Sequence, residues 1–268
     1  MQLPSPTWFV GCGNMAGAMI DGWRSAHVDM SMAAVIRPSG APVDGIRTVT
    51  SFKDAGAAPR MVILGFKPQQ LDEVAYDLAP WVTSKTIVVS LLAGVEVASL
   101  RKRFAKGIII RAMPNLPVSI RRGVVALHSV GIEEALHKTL SDLFAALGYA
   151  MWTDSEKALG AIGSVAGSGP AYAARFIDAL AAAGVRQGLP EALSATIARE
   201  TVLGTAWMAA SSGETMDGLA RRVASPAGTT EAGLAVLDKD GAIDTLIDQT
   251  FEAAAERGRS LAEAARLP

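Results

Sequence analysis

Short apolar runs alternate with amphipathic stretches over the first half of the chain. The runs are rich in β-branched residues, which predicts buried strands at Trp8–Val10, Ala34–Ile36, Met61–Leu64, Thr86–Ser90, Ile108–Arg111, Val124–His128 and Tyr149–Trp152. The stretches between them have helical periodicity, at Met15–Ser25, Gln70–Leu78, Val97–Phe104 and Glu133–Leu147. This alternation predicts an α/β fold with a doubly wound parallel sheet.

After Asp154 the strand-like runs stop and Ala- and Leu-rich stretches follow. They predict helices over Glu156–Arg186, Glu191–Ala210, Met216–Val223, Glu231–Leu237 and Ile243–Ala265, separated by Gly-, Ser- and Pro-rich breaks. We therefore expect a sheet domain at residues 1–154 and an all-helical domain at residues 155–268. Such a small Ala-rich helical domain leaves apolar surface uncovered, so we expect it to pair with a second copy.

Composition and charge exclude several classes of function. Half of the 268 residues are hydrophobic, and 25 Lys and Arg residues nearly balance 26 Asp and Glu residues. That balance provides no field for a nucleic acid or an anionic membrane. The single cysteine, Cys12, has no Cys/His cluster beside it, so we expect no metal site and a cytoplasmic location. The first residues carry no pattern of an export signal.

One uncharged segment, residues 158–174, approaches the length of a membrane span. It is rich in Gly and Ser and contains Pro170, which favours close helix packing over lipid contact. We interpret it as a buried helix start and expect no membrane association.

The first predicted strand runs into a glycine turn that has the geometry of a dinucleotide phosphate site. Gly11 permits the tight turn, Gly13 lets the backbone approach a pyrophosphate, and Ala16 allows close packing of helix on strand. Asn14 and Met15 begin a helix whose N-terminal N–H groups face the phosphates. The first domain is therefore predicted to be a Rossmann-like nucleotide-binding domain.

The end of the second predicted strand indicates which dinucleotide is bound. NAD-binding domains usually carry a carboxylate there, whereas this strand is followed by Arg37 and Ser39. Both side chains can bind the additional phosphate of NADP through charge-assisted hydrogen bonds. We predict NADPH as the cofactor, with NADH as the alternative.

Three further loops follow strands at the edge of the sheet where ligands of open α/β folds bind. They are Phe66-Lys67-Pro68-Gln69, Leu92-Ala93-Gly94 and Met113-Pro114-Asn115. Turn chemistry explains each loop singly, but their joint placement predicts a shared cofactor crevice.

In the helical half, the segments 167–172 and 225–230 place glycines and hydroxyl residues just before helix starts. Free N–H groups near Gly228, Thr229 and Thr230, with the Ser225 hydroxyl, are suited to binding a substrate carboxylate. The alternative is that Thr229 or Thr230 only caps the next helix.

Five motifs together resemble those of the pyrroline-5-carboxylate reductase family, in order and over nearly the whole chain. They are Gly11-Cys12-Gly13-Asn14-Met15-Ala16, Lys67-Pro68-Gln69, Met113-Pro114-Asn115, Gly167-Ser168-Gly169-Pro170-Ala171-Tyr172 and the run Ser225 to Thr230. The resemblance implies the last step of proline synthesis, in which NAD(P)H reduces the cyclic imine of 1-pyrroline-5-carboxylate to L-proline. It also implies a homodimer formed through the C-terminal helices and further assembly into a decamer.

The same resemblance implies roles for residues of the last motif. Thr230 would hydrogen-bond the ring nitrogen as the catalytic residue, and Ser225, Gly228 and Thr229 would bind the carboxylate. A protonated imine is already electrophilic, so hydride transfer depends on positioning more than on a strong protein acid. This fits motifs that contain neither His nor Lys.

Two positions depart from the family pattern, and two other functions stay open. Ala227 stands where glycine is usual, and Leu116 where threonine is usual. One alternative is another NADP-linked reductase of a small carboxylate substrate, such as a β-hydroxyacid dehydrogenase. Those enzymes use a helix lysine, which residues 164–174 lack. The other alternative is a non-catalytic NADP-binding relative.

Overall fold

The computed structural model describes residues 1–266, and its contacts divide the chain into two compact units. The first comprises residues 1–168 together with the residues from 254 onward, and the second comprises residues 169–253. The domain boundary predicted at 154/155 stays a prediction.

The first unit contains one sheet of eight strands, and all seven predicted strands are present. They are β1 (Thr7–Val10), β2 (Ala33–Ile36), β3 (Arg47–Val49), β4 (Met61–Leu64), β5 (Ile87–Ser90), β6 (Ile108–Pro114), β7 (Gly123–His128) and β8 (Gly148–Trp152). Strand β3 was not predicted, because it has three residues and none of them is fully buried.

The order of strands in the sheet is β3-β2-β1-β4-β5-β6-β7-β8. The chain runs outward from β1 to β3 and then returns to β4 on the other side of β1, which makes the sheet doubly wound as predicted. The expected all-parallel pairing is wrong at one place, where β6 and β7 pair antiparallel. Their connection contains only the short 3₁₀ segment Leu116–Ile120 and no crossover helix, so the chain reverses direction.

Helices cover both faces of this sheet. They are α1 (Asn14–Ser25), α2 (Phe52–Ala55), α3 (Leu71–Leu78), α4 (Val97–Arg103), α5 (Glu134–Ala145) and α6 (Glu156–Ile162). One buried core lies under α1 and α5, where Trp23 Nε1 donates to the Leu143 carbonyl at 2.9 Å. A second core lies on the opposite face, under α3 and α4.

The predicted helix Glu156–Arg186 is interrupted. After α6 the backbone forms a π-helical turn at Gly163–Gly167, and a new helix begins at Gly169. Residues 158–174 were expected to be buried, and in the single chain this is wrong. Leu159 is the one buried residue among them. Among the helices of residues 1–266, none has an apolar stretch that would cross a bilayer.

The second unit is helical, as predicted. It contains α7 (Gly169–Arg186), α8 (Glu191–Ser212), α9 (Met216–Val223), α10 (Thr229–Leu237) and the first part of α11 (Ala242–Arg266). The α7 and α8 pair packs closely, and Gly184 has no room for a Cβ atom because it would lie 2.2 Å from Ser194 Oγ. Tyr172 packs edge-on against Phe251, with ring centroids 5.9 Å apart.

Candidate functional site

The switch point of the first unit holds a cleft of about 890 Å³. It opens at the carboxyl ends of β1, β2 and β4, where ligands of doubly wound sheets bind. Eight of the predicted cofactor residues line it: Gly11, Gly13, Asn14, Met15, Arg37, Ser39, Phe66 and Lys67. The structure therefore brings the glycine turn and the residues after β2 and β4 to one cavity.

The glycine turn has the shape that a pyrophosphate requires. Gly11 has φ +76°, and a Cβ atom there would lie 3.0 Å from the Gly65 carbonyl oxygen and from Phe66. At Gly13 a Cβ would meet nothing closer than 3.8 Å, so the missing side chain leaves open space beside the N-terminus of α1. These observations fit a bound dinucleotide phosphate.

Gly65 is part of the same turn and was missed by the sequence analysis. A Cβ atom at Gly65 would lie 2.9 Å from Ala16 Cβ and 3.0 Å from the Gly11 carbonyl oxygen. The close approach of α1 to the sheet thus needs glycine at the end of β4 as well as a small residue at position 16. The pair of Gly65 with Phe66 after a buried strand is the signal that sequence reasoning could have used.

The residues after β2 form a polar group at one end of the cleft. Arg37 Nε donates to Ser39 Oγ at 3.0 Å, so the two side chains that were predicted to bind one phosphate are held together. Because β3 lies beside β2, the start of α2 is brought to the same end, and Lys53 also lines the cleft. Lys53 escaped the sequence analysis because β3, the strand that places it, was not recognised.

Cys12 also lines this cleft, between the two glycines of the turn. Burial raises the pKa of its thiol above the ordinary cysteine value, and the positive charge of Arg37 partly opposes that rise. The thiol is therefore protonated at neutral pH, which leaves the phosphate region without a competing thiolate.

Three predicted cofactor residues do not line the cleft: Pro68, Ala93 and Asn115. Pro68 begins a short 3₁₀ turn after β4, and Ala93 is exposed in the loop after β5. The side chain of Asn115 is bonded to backbone on both sides. Its Oδ1 accepts from Val124 N at 2.8 Å, and its Nδ2 donates to the Ala166 carbonyl at 3.0 Å.

The second unit carries the predicted substrate loop between α9 and α10. Gly228 is the N-cap residue of α10, so Thr229 and Thr230 are its first two residues. The alternative in which one of the threonines caps this helix is wrong, because no side chain caps it. The N–H groups of both threonines belong to the first turn and have no intrahelical acceptor, which suits them to an anion.

Ser225 and Gly228 close this loop as a turn. Gly228 N donates to the Ser225 carbonyl at 3.0 Å, and a Cβ atom at Gly228 would lie 2.4 Å from Ser225 Oγ. Ala227 has φ +59°, which is in the left-handed region that glycine favours. An L-residue there costs about 1–2 kcal/mol relative to the right-handed region. The second departure, Leu116, is 54% exposed and does not line the cleft.

His128 and His137 make their contacts outside the cleft. His128 is buried with Nδ1 2.8 Å from the Thr153 carbonyl, and His137 stacks on Trp152. Neither lines the cleft. Within residues 1–266 no group of three or more His, Cys, Asp or Glu side chains is placed to hold a metal ion.

Fold and cleft together define a dinucleotide-binding protein, with a Rossmann-like unit followed by helices. Two family models match the corresponding regions. One is described as NADP oxidoreductase coenzyme F420-dependent and matches residues 8–94. The other is described as pyrroline-5-carboxylate reductase dimerisation and matches residues 156–261.

Individual relatives specify the family. The chain is 35% identical to a pyrroline-5-carboxylate reductase of Pseudomonas aeruginosa over 263 residues, which cover 95% of this chain and 96% of that protein. It is 35% identical to the Pisum sativum enzyme of that name, with 94% of each chain covered. A solved pyrroline-5-carboxylate reductase structure from Coxiella burnetii is 29% identical and superposes with a TM-score of 0.85 over 97% of this chain and 99% of that one. The chain belongs to the pyrroline-5-carboxylate reductase family.

Proposed function

We propose that the protein reduces 1-pyrroline-5-carboxylate to L-proline with NADPH, the last step of proline synthesis. The observation that carries this proposal is similarity to pyrroline-5-carboxylate reductases over nearly the full length of both chains. The five sequence motifs support it, because they extend over both the nucleotide cleft and the substrate loop. We assign residues 1–154 to cofactor binding and residues 155–268 to substrate binding and dimerisation.

In the first unit, the glycine turn binds the pyrophosphate of the cofactor. Gly11 and Gly13 provide the space, and Asn14 and Met15 present N–H groups at the start of α1. NADPH supplies a hydride when bound. Phe66, Lys67, Pro68, Ala93 and Asn115 complete the proposed cofactor set.

Arg37 and Ser39 bind the adenosine end of the cofactor. Their mutual hydrogen bond preorganises two donors for the additional phosphate of NADPH. Lys53 adds a second positive charge to the same end of the cleft. We therefore propose that NADPH is preferred and that NADH serves as the weaker alternative.

In the second unit, Ser225, Gly228 and Thr229 hold the carboxylate of the cyclic imine. The positive end of the α10 dipole favours the anion at this place. The Thr230 hydroxyl accepts a hydrogen bond from the protonated ring nitrogen and so orients the imine carbon. As the hydride adds to that carbon, the π electrons of the C=N bond move to nitrogen, and no protein acid is required.

The helical unit also forms the homodimer, and dimers assemble into a decamer. Exposed apolar side chains on α7 and α8 support self-association: among them are Phe176, Leu180, Val185, Leu193, Ile197 and Leu203. The nearly neutral net charge supports a protein without nucleic-acid partners, and the single cysteine supports a cytoplasmic location.

The function is tested by measuring the oxidation of NADPH through the decrease in its absorbance. The purified protein is given 1-pyrroline-5-carboxylate, a 2-keto acid or no substrate, and we expect consumption with the cyclic imine alone. Consumption with the keto acid alone would indicate a different reductase, and consumption with neither would indicate a binding protein.

Two variants at one position test the assignment of Thr230. Thr230→Ala removes the hydroxyl, and we expect kcat/KM to fall by about 10- to 100-fold, the value of one well-placed hydrogen bond to a charged group. Thr230→Ser keeps the hydroxyl and should retain most of the activity. An alanine variant with undiminished kcat/KM would remove Thr230 from the site.

A further inference from the structure

The loop before α10 is a hydrogen-bonded turn with positive φ at its third position, as in type II turns, and it carries alanine where glycine is favoured. Gly228 N donates to the Ser225 carbonyl at 3.0 Å, Pro226 occupies the second position, and Ala227 occupies the third with φ +59°. Proline suits the second position of this turn, but the third requires positive φ and is normally glycine. Some other interaction must therefore help to hold Ala227 in this conformation.

Glu231 provides that interaction. Ala227 N donates to Glu231 Oε2 at 2.6 Å, and Glu231 is the third residue of α10. A glutamate at this position usually accepts from the N-cap residue, which is Gly228 here. The Gly228 N–H is already committed to the Ser225 carbonyl, so the carboxylate reaches one residue further back, to the strained alanine.

We propose that Glu231 is a positioning residue of the substrate loop, an inference that rests on the proposed function. By holding Ala227, Glu231 fixes the turn that places the Ser225 hydroxyl against Gly228, where a Cβ atom would lie only 2.4 Å from Ser225 Oγ. The same turn delivers the chain to the first N–H groups of α10. Glu231 thus acts on the substrate carboxylate through the loop and without touching it.

Steady-state kinetics of two variants of the full chain test this role. In Glu231→Ala the acceptor is lost, and we expect the KM for 1-pyrroline-5-carboxylate to rise about fivefold, as for an exposed hydrogen bond, with kcat and the KM for NADPH nearly unchanged. Glu231→Gln keeps an acceptor oxygen and should stay close to the parent. Glu134→Ala, which removes an exposed first-turn glutamate of α5, is the matched control. An unchanged KM in Glu231→Ala overturns the inference.

An Ala227→Gly background distinguishes an effect of Glu231 on the loop conformation from an effect of losing its negative charge. Glycine adopts positive φ without support, so in an Ala227→Gly background Glu231→Ala should raise the KM by less than about twofold. The same fivefold increase in both backgrounds would mean that Glu231 acts independently of Ala227 and would overturn the inference.

Hydrogen exchange gives a readout that needs no substrate. We expect the Ala227 amide to exchange faster in Glu231→Ala than in the parent and in Glu231→Gln. If the parent fails to oxidise NADPH with 1-pyrroline-5-carboxylate, the proposed function fails while faster exchange still supports the role of Glu231 in the loop. Unchanged exchange overturns that role in either case.

Discussion

The two units bury their apolar residues to very different extents. In the sheet unit every residue of β1, β2, β4 and β5 is buried, and helices cover both faces. In the helical unit α7 has no buried residue over 18 positions, and α8 has three over 22. The sheet unit thus completes its hydrophobic core within one chain. The helical unit instead exposes an apolar surface of the kind that is usually buried in a protein–protein interface.

The nucleotide cleft and the proposed substrate loop are therefore stabilised in different ways. The nucleotide cleft lies at the edge of a closed core, so its residues are held by the packing of one chain. The proposed substrate loop lies in the exposed unit, and its described contacts are local turn and helix-start interactions. We therefore expect cofactor binding to tolerate loss of self-association better than substrate turnover does.

The largest expected effect comes from charging the exposed face of α7. Phe176 and Leu180 lie one helical turn apart and are 53% and 40% exposed. We expect Phe176→Glu combined with Leu180→Glu to abolish self-association, because each buried apolar side chain contributes about 1.5–3 kcal/mol. Sedimentation velocity measures the result. Tyr76→Glu, at a side chain 84% exposed in the sheet unit, is the matched control and should leave the oligomer unchanged.

Removing the Asn115 side chain should cost the sheet unit much of its stability. Asn115→Ala leaves Val124 N and the Ala166 carbonyl without their partners, and we expect about 2–4 kcal/mol less free energy of unfolding. Urea denaturation measures the loss. Asn115→Asp keeps the acceptor for Val124 N and should lose less. A variant of unchanged stability but weakened NADPH binding would mean that the side chain serves the cofactor and not the fold.

The glycine turn should tolerate no side chain at Gly11. Gly11→Ala combines a strained φ of +76° with a Cβ atom 3.0 Å from Gly65 and Phe66. We expect NADPH to bind about 10- to 100-fold more weakly, from roughly 1–2 kcal/mol of strain together with displacement of the turn. Fluorescence titration of NADPH measures the change. Gly17→Ala, whose Cβ would meet only Cys12 Sγ at 4.0 Å, is the control and should bind normally.

Loss of Arg37 should lower the preference for NADPH. We expect Arg37→Ala to reduce the ratio of kcat/KM for NADPH to that for NADH by about tenfold, the value of a charge-assisted hydrogen bond. Lys53→Met should reduce the ratio less, because the Arg37–Ser39 pair is retained. If the Arg37→Ala variant kept the parental ratio, Arg37 would not bind the additional phosphate of NADPH.

The smallest effect concerns the reactivity of Cys12. Because burial raises the pKa of its thiol, alkylation by iodoacetamide should be slow at neutral pH and should accelerate as the pH rises through the raised pKa. Arg37→Ala removes the charge that lowers the pKa, so alkylation at a given pH should become slower still. Bound NADPH should protect the thiol, which lines the cleft. Rapid labelling at neutral pH would contradict this account.

Much of the sheet unit could be predicted from the sequence, because buried parallel strands consist of continuous runs of apolar residues. The predicted Met61–Leu64 coincides with β4, and Trp8–Val10 differs from β1 by one residue. The edge strand Arg47–Val49 is short and half-exposed, so its composition gives no such signal. Without it, the position of Lys53 could not be inferred.

The helical unit was predictable in its elements and less so in its details. The bounds of α9 match the prediction, because the break after it is rich in Ser, Pro and Gly. The π-helical turn at Gly163–Gly167 lies within the predicted helix Glu156–Arg186, and Asn115, far away in sequence, bonds to its Ala166 carbonyl. The capping hypothesis for Thr229 and Thr230 was wrong because the turn at Ser225 moves the start of α10 to Thr229.

The alternation of strands and helices, the glycine turn and the order of the motifs could all be predicted from the amino-acid sequence, because they depend on local periodicity and on residue type. The antiparallel pairing of β6 with β7, the approach of Gly65 to Gly11 and the two backbone bonds of the Asn115 side chain became visible only in the folded chain. Such features depend on which distant segments become neighbours, and that follows from the packing of the whole core rather than from any local pattern.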